Sequence, residues 1–208
     1  MISDEIGVLF TSRCYAEEIA AGEGYLDVVQ SRMETAANDA PEQWEGVETY
    51  DPGTPVAWIM WNGGAGTYSV GDIYNPSDNT EGITAHDVVV DGAGEYTVSL
   101  DFAGENNGLT FAALALADGE LLYPNAILDI KEITVDGNKL PMVAQEYTSS
   151  DDGKCTRVNL YNTWVNTLPD DARTASGNFN NAKPVIINAS DMVGIKNITI
   201  RFELIIPE

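Results

Sequence analysis

The densest set of side chains able to do chemistry runs from Trp58 to Asn75. Trp58-Ile-Met-Trp61 leads into the glycine-rich Asn62-Gly-Gly-Ala-Gly66, and Tyr68, Asp72, Tyr74 and Asn75 follow. Flat aromatic faces beside amides and carboxylates suit recognition of a sugar ring. The aromatic covers the ring's apolar C–H surface, and the polar groups bond its hydroxyls. In an extended chain successive side chains point to opposite faces, so Trp58 and Met60 part from Ile59 and Trp61. One tryptophan then faces a core, and Trp61, at the entrance to the glycine-rich loop, is expected to face solvent. The competing reading makes both tryptophans core anchors, since tryptophan is highly buried on average. On the first reading the ligand-binding set is Trp61, Tyr68, Asp72, Tyr74 and Asn75, joined by Tyr161.

Tyr161 belongs to a second cluster, Tyr161-Asn162-Thr163-Trp164 with Asn166. Trp164 shares parity with Val158 and Leu160 and is expected in the core. Tyr161 shares parity with Arg157 and Asn159, a polar and aromatic face that reads as solvated or as glycan-binding.

Catalytic chemistry has less to stand on. His86 is the single histidine, next to Asp87, and no G-x-S-x-G elbow accompanies it. A glycosidase needs two carboxylates roughly 5–10 Å apart, but among 33 acidic residues such pairs arise by chance. The glycine run at 63–66 lacks the Lys-Ser/Thr ending of a phosphate loop. Neither zinc spacing nor a complete EF-hand loop occurs. The chain is therefore not expected to be an enzyme.

Charge narrows the partners. Ten basic residues against 33 acidic ones give −23. That balance repels phosphate backbones and anionic headgroups, so a nucleic-acid partner is not expected and a neutral ligand is the easier one. It also serves simply to keep an extracellular protein soluble. No stretch approaches the ~20 apolar residues of a membrane span, so no membrane insertion is expected. The start, Met1-Ile2-Ser3-Asp4-Glu5, carries no positive, apolar leader. A cytosolic protein and a mature extracellular segment with an added Met both fit, and the fold and composition favour the second. Cys14 and Cys155 are far apart in sequence. They form either one disulfide or two separate thiols, and two cysteines do not make a framework.

The elements that must position these residues fall into two parts. In residues 1–50, Arg13 to Ala21 and Tyr25 to Asn38 read as two helices, the second carrying Leu26, Val29 and Met33 at helical spacing before Pro41. This small N-terminal helical attachment is expected to pack on the main body or cover a sheet edge. Residues 51–208 read as an all-β, antiparallel sandwich. Tyr96, Val98, Leu100 and Phe102 alternate on one face of a strand, as do Ile198, Ile200, Phe202 and Leu204. Leu109 to Ala117 is apolar on both faces, as a covered central strand should be. Asp91-Gly92, Asp118-Gly119, Asp136-Gly137 and Asp152-Gly153 read as tight hairpin turns. Within Ile127 to Val135 the parity slips at Lys131-Glu132, which predicts a bulge or bend. Thr167 to Lys183 is a long connection for a compact domain, and such connections are often functional.

The run Gly94 to Phe102, the strand Ile130-Lys-Glu-Ile-Thr-Val-Asp-Gly137 and the closing Ile198-Thr-Ile-Arg-Phe202 resemble the β-sandwich carbohydrate-binding modules of jelly-roll or galactose-binding-like type. Thr148 to Gly153, and Tyr161-Asn-Thr-Trp164 followed by Leu168 to Arg173, are similar to sandwich modules in surface proteins of anaerobic Firmicutes. The resemblance implies a jelly-roll-like fold, a place outside the cell or on its surface, and non-catalytic binding of a neutral polysaccharide or oligosaccharide. It also implies a structural calcium, for which Asp72, Asp78 and Glu81 lie in a suitable loop. Solvated turn acids are the favoured reading of the same residues, and no cofactor is expected. The alternatives are an adhesive sandwich with a protein partner bound through the N-terminal helices and, third, a polysaccharide-active enzyme.

Overall fold

The computed structural model describes residues 53–70, 79–151 and 153–207. The two helices expected in residues 1–50, with Trp44 and Cys14, lie outside the described residues, as do Asp72, Tyr74, Asn75 and Asp78. What is described is all-β and antiparallel. Strands β1 (Val56–Gly63), β2 (Gly66–Tyr68), β3 (Ile83–His86), β4 (Val88–Val89), β5 (Gly94–Phe102) and β6 (Leu109–Leu116) come first. A one-turn helix α1 (Gly119–Leu122) separates them from β7 (Ile127–Val135), β8 (Asn138–Leu140), β9 (Ser149–Asp151), β10 (Cys155–Asn162) and β11 (Asn197–Ile205). One sheet has the order β2-β1-β6-β10-β9, with β4 also on β1, and the other has the order β3-β5-β11-β7-β8.

The two sheets share one core because their inward faces alternate as the sequence demands. Ile59 and Trp61 of β1, Leu114 and Leu116 of β6, and Val158 and Leu160 of β10 meet Leu100 and Phe102 of β5, Leu128 and Ile130 of β7, and Ile200 and Phe202 of β11. β6 lies at the centre of its sheet, and Ala112 to Leu116 are fully buried, as the two-sided apolar run predicts. The expected irregularity in β7 is a bulge. Glu132 pairs with Arg201 and Ile130 with Phe202, so Lys131 is the extra residue. The bulge lets Ile133 and Ile130 both reach the core despite their opposite parity.

Asp136-Gly137 and Gly153, whose partner Asp152 lies outside the described residues, fall at hairpins. Asp136 (φ 47°) and Gly137 (φ 76°) join β7 to β8 with the two positive φ values of a type I′ turn. Gly153 (φ 67°) lies between β9 and β10. The other two correct the expectation. Asp91-Gly92 carries the chain from β4 in one sheet to β5 in the other. Asp118-Gly119 opens α1, where a Cβ on Gly119 would stand 2.4 Å from Thr156 Oγ1, so the glycine serves close packing rather than a hairpin. Asp118 meanwhile accepts the Gly53 N–H at 2.7 Å.

The glycine-rich run after β1 also has a packing reason. A Cβ on Gly63 would lie 2.6 Å from the Gly108 carbonyl oxygen, and one on Gly64 would lie 2.6 Å from the Asn107 nitrogen. Two backbones therefore run closer here than any side chain allows. The fully buried Asn106 holds them together. Its Oδ1 accepts the Ala65 N–H at 2.9 Å, and its amide donates to the Met192 carbonyl at 2.6 Å.

Candidate functional site

A sandwich leaves open flanks where its outermost strands expose unpaired backbone groups. Here the long connection from β10 to β11 closes one of them. The N–H groups of Ile186 and Ile187 donate to the Leu160 carbonyl, Val143 N–H donates to Ile186, and Arg173 and Thr148 exchange two backbone bonds of 2.8 Å. Gln145 N–H donates to the Asn181 carbonyl at 3.0 Å. The loop flagged in the sequence is thus a fixed wall.

Between that wall and the start of β7 lies a cleft of ≈ 160 Å³, lined by Ile127 to Asp129, Gln145 to Thr148 and Arg173 to Ser176. Its most distinctive groups are two carboxyls. Glu146 is half-buried. Burial first, and then its hydrogen bond to Asp129, push its carboxyl above the usual range, against the opposing pull of its own backbone amide and of Lys131. Lys131, the bulge residue, bonds Asp129 at 2.6 Å and Glu203 at 2.7 Å, and these two carboxylates hold its ammonium above the usual range. Arg173 donates to the Ala126 carbonyl at 2.7 Å and pairs with Glu120, which also accepts the Thr156 hydroxyl at 2.7 Å. Both cations are therefore committed, and Glu146 and Asp129 stand as a carboxyl pair on the cleft's lining.

This pair makes a testable statement about pH. The folded protein favours the acid form of Glu146, so the stabilisation is complete below the ordinary 4.5. It is lost as pH rises through the higher folded value, where Glu146 ionises beside Asp129. Lys131, Glu203 and Arg173 are the other charged groups around it. Glu146→Gln keeps a donor toward Asp129 at every pH. It is expected to match the parent protein's urea midpoint below pH 4.5 and exceed it at neutral pH. Parallel midpoint-against-pH curves for the two proteins would contradict this.

The aromatic residues are arranged differently from the expectation. Trp61 is 1% exposed and packs on Phe102, ring centroids 4.9 Å apart, so it is a core residue and not an exposed platform. Trp58 is equally buried on the opposite face of the same sheet, with Met60, Ala113, Ala115 and Cys155, against which Tyr68, Val70 and Phe111 pack. Alternation separated the two tryptophans correctly, but both faces of β1 are covered. Cys155 is a free thiol there, and burial pushes it up to about 12. Tyr68 is half-buried, and its hydroxyl donates to Asp87 at 2.5 Å.

Trp164 reverses the expectation in the other direction: it is 71% exposed. β10 ends at Asn162, so Trp164 stands in the turn beyond it, and β10 itself carries a second bulge. Asn159 pairs with Ala113 and Tyr161 with Ala112, which leaves Leu160 as the extra residue. A one-residue slip exchanges the faces of everything beyond it. Tyr161 therefore turns toward the core it was expected to avoid, half-buried, while Trp164 is released to solvent beyond the strand's end. Its backbone is nonetheless fixed. Trp164 N–H donates to Asn162 Oδ1 at 3.0 Å, and Thr163 N–H donates to the Thr110 carbonyl at 3.2 Å. Exposed Asn166, Asn178, Phe179, Asn180 and Asn181 lie on the same connection.

His86 is exposed and bonds Asp101 at 2.9 Å on the edge strand β3, with no serine in the pair. Among the described residues no group of three or more His, Cys, Asp or Glu is placed to hold a metal ion. No helix among them is long and apolar enough to cross a membrane. Comparisons with protein-family models, with curated proteins and with solved structures gave no match.

Proposed function

We propose that the chain is a jelly-roll-like module that binds a neutral glycan outside the cell or at its surface without turning it over. The observation that carries this reading is Trp164, 71% exposed on a backbone held by Asn162 and Thr110. A large indole left in water on a fixed support offers a flat apolar face with little ordering to lose on binding. The same connection carries exposed Asn166, Asn178, Asn180 and Asn181, whose amides can donate to and accept from hydroxyls.

Charge supports a neutral ligand. Lys131, Lys139, Arg157, Arg173 and Arg201 each lie against a carboxylate, so these five are already engaged and not set to receive an anionic sugar. The proposed platform is Trp164 in place of Trp61, and the proposed ligand remains a neutral glycan.

Iodide quenching of tryptophan fluorescence tests the reading. The difference between the parent protein and Trp164→Phe isolates the exposed indole. That difference is expected to shrink when a bound β-glucan, xylan, mannan or galactan shields it. A difference unchanged by every neutral glycan would refute the proposal.

A further inference from the structure

The cleft beneath the long connection is separate in its residues from Trp164, and its chemistry is specific. Its walls are pinned before any ligand arrives. Leu128 N–H donates to the Thr148 hydroxyl at 2.9 Å, and Gln145 Nε2 donates to the Asn178 carbonyl at 2.9 Å. At ≈ 160 Å³ it is smaller than the ~300–1,000 Å³ of pockets for drug-sized molecules, so it has room for one small ring.

The committed cations decide the ligand's charge. Arg173 is engaged by Ala126 and Glu120, and Lys131 by Asp129 and Glu203, so neither is free to receive an anion. Both still stand beside the cleft or on its carboxylate, which disfavours an incoming ammonium. What remains on the cleft's lining is the carboxyl pair Asp129 and Glu146, with Gln145 and the Ser176 hydroxyl. A sugar hydroxyl donates to a carboxyl oxygen, and two adjacent hydroxyls match two adjacent carboxyl groups, while Gln145 and Ser176 can both donate and accept.

We infer that this cleft binds a single neutral sugar residue at the end of a chain, two neighbouring hydroxyls bonding the Asp129–Glu146 pair and the opposite edge meeting Gln145 and Ser176. The ligand class rests on the function proposed above, but the residues and the test are independent of Trp164.

The test is amide chemical-shift mapping of the full chain, titrated with neutral methyl glycosides and, separately, with methylammonium. At least one glycoside is expected to move the amides of Ile127, Gln145 and Ala175 saturably, with methylammonium leaving them still. Ala175→Trp, at an exposed residue of the rim, fills the cleft without removing a polar group and is expected to weaken that binding by about tenfold or more. Ser176→Val, a smaller change, should weaken it by a lesser factor. Silence of these amides to every glycoside overturns the inference. So does binding unaffected by either variant, or an equal response to methylammonium. Silent amides with Trp164 still shielded by polysaccharide would sink the cleft alone. An unshielded Trp164 with responsive amides would sink the Trp164 platform alone.

Discussion

Trp61→Ala is expected to destabilise the protein by about 3–5 kcal/mol, and Trp164→Ala to stay within about 0.5 kcal/mol of the parent. Trp61 lies on β1 and Trp164 just past the end of β10, two strands of one sheet with β6 between them, and their environments decide the difference. Trp61 is 1% exposed between the sheets against Phe102, so truncation removes a large buried surface and leaves a cavity that close-packed neighbours fill only in part. Its indole N–H has no hydrogen-bond partner, so no bond is lost to offset or add to that cost. Trp164 is 71% exposed, and truncating it removes little packing. Urea unfolding with unchanged m-values measures both. Equal destabilisation by the two variants would mean that Trp164 is packed against the protein and not left in solvent.

Asn106→Ala should cost roughly 2–4 kcal/mol, from the loss of hydrogen bonds by buried groups. The side chain is fully buried and joins the Ala65 N–H to the Met192 carbonyl. Its own backbone N–H donates to Ile195, and its carbonyl accepts from Gly194. Removing the amide leaves a donor and an acceptor without partners, in a place where water has little access. The loop after β1 and the segment before β11 are then tied only through their backbones. Asn106→Asp keeps the acceptor for Ala65 but loses the donor to Met192 and buries a charge, so it should fall at least as far. An Asn106→Ala protein as stable as its parent would show that the clasp does not hold the loops.

Much of the fold is written in short-range patterns, and its failures share one cause. β5 and β11 alternate cleanly because each has one face on the core and one toward solvent. The β7 bulge was visible because two apolar residues changed parity across Lys131. The β10 bulge was not, since Leu160 and Tyr161 are both acceptable on a core face and nothing in Val158 to Trp164 marks the slip. Tyr161 therefore turns to the core, while Trp164 stands in the turn past the strand's end, where parity no longer assigns a face. Trp61 was misjudged for another reason: alternation separates two faces but does not say whether the second is covered, and β1 is covered on both. Of the four Asp-Gly pairs, two lie at sheet-crossing or packing positions that only tertiary contacts define.

The cleft was the least legible part. Asp129, Glu146 and Arg173 lie on three separate segments, and no spacing rule joins them. The one available signal was the unusual length of the connection that forms its wall. Glu146 itself stands in Met-Val-Ala-Gln-Glu-Tyr, where nothing local distinguishes it from a solvated acid. Its partner is set by the register of β7 and the backbone bridge between Thr148 and Arg173.

Affinity electrophoresis through gels of neutral polysaccharide, comparing the parent protein with Trp164→Ala, tests the central claim most directly. At least one β-glucan, xylan, mannan or galactan is expected to retard the parent, and Trp164→Ala to migrate as in a gel without glycan. Free passage of the parent through every gel, or equal retardation of both proteins, would contradict it.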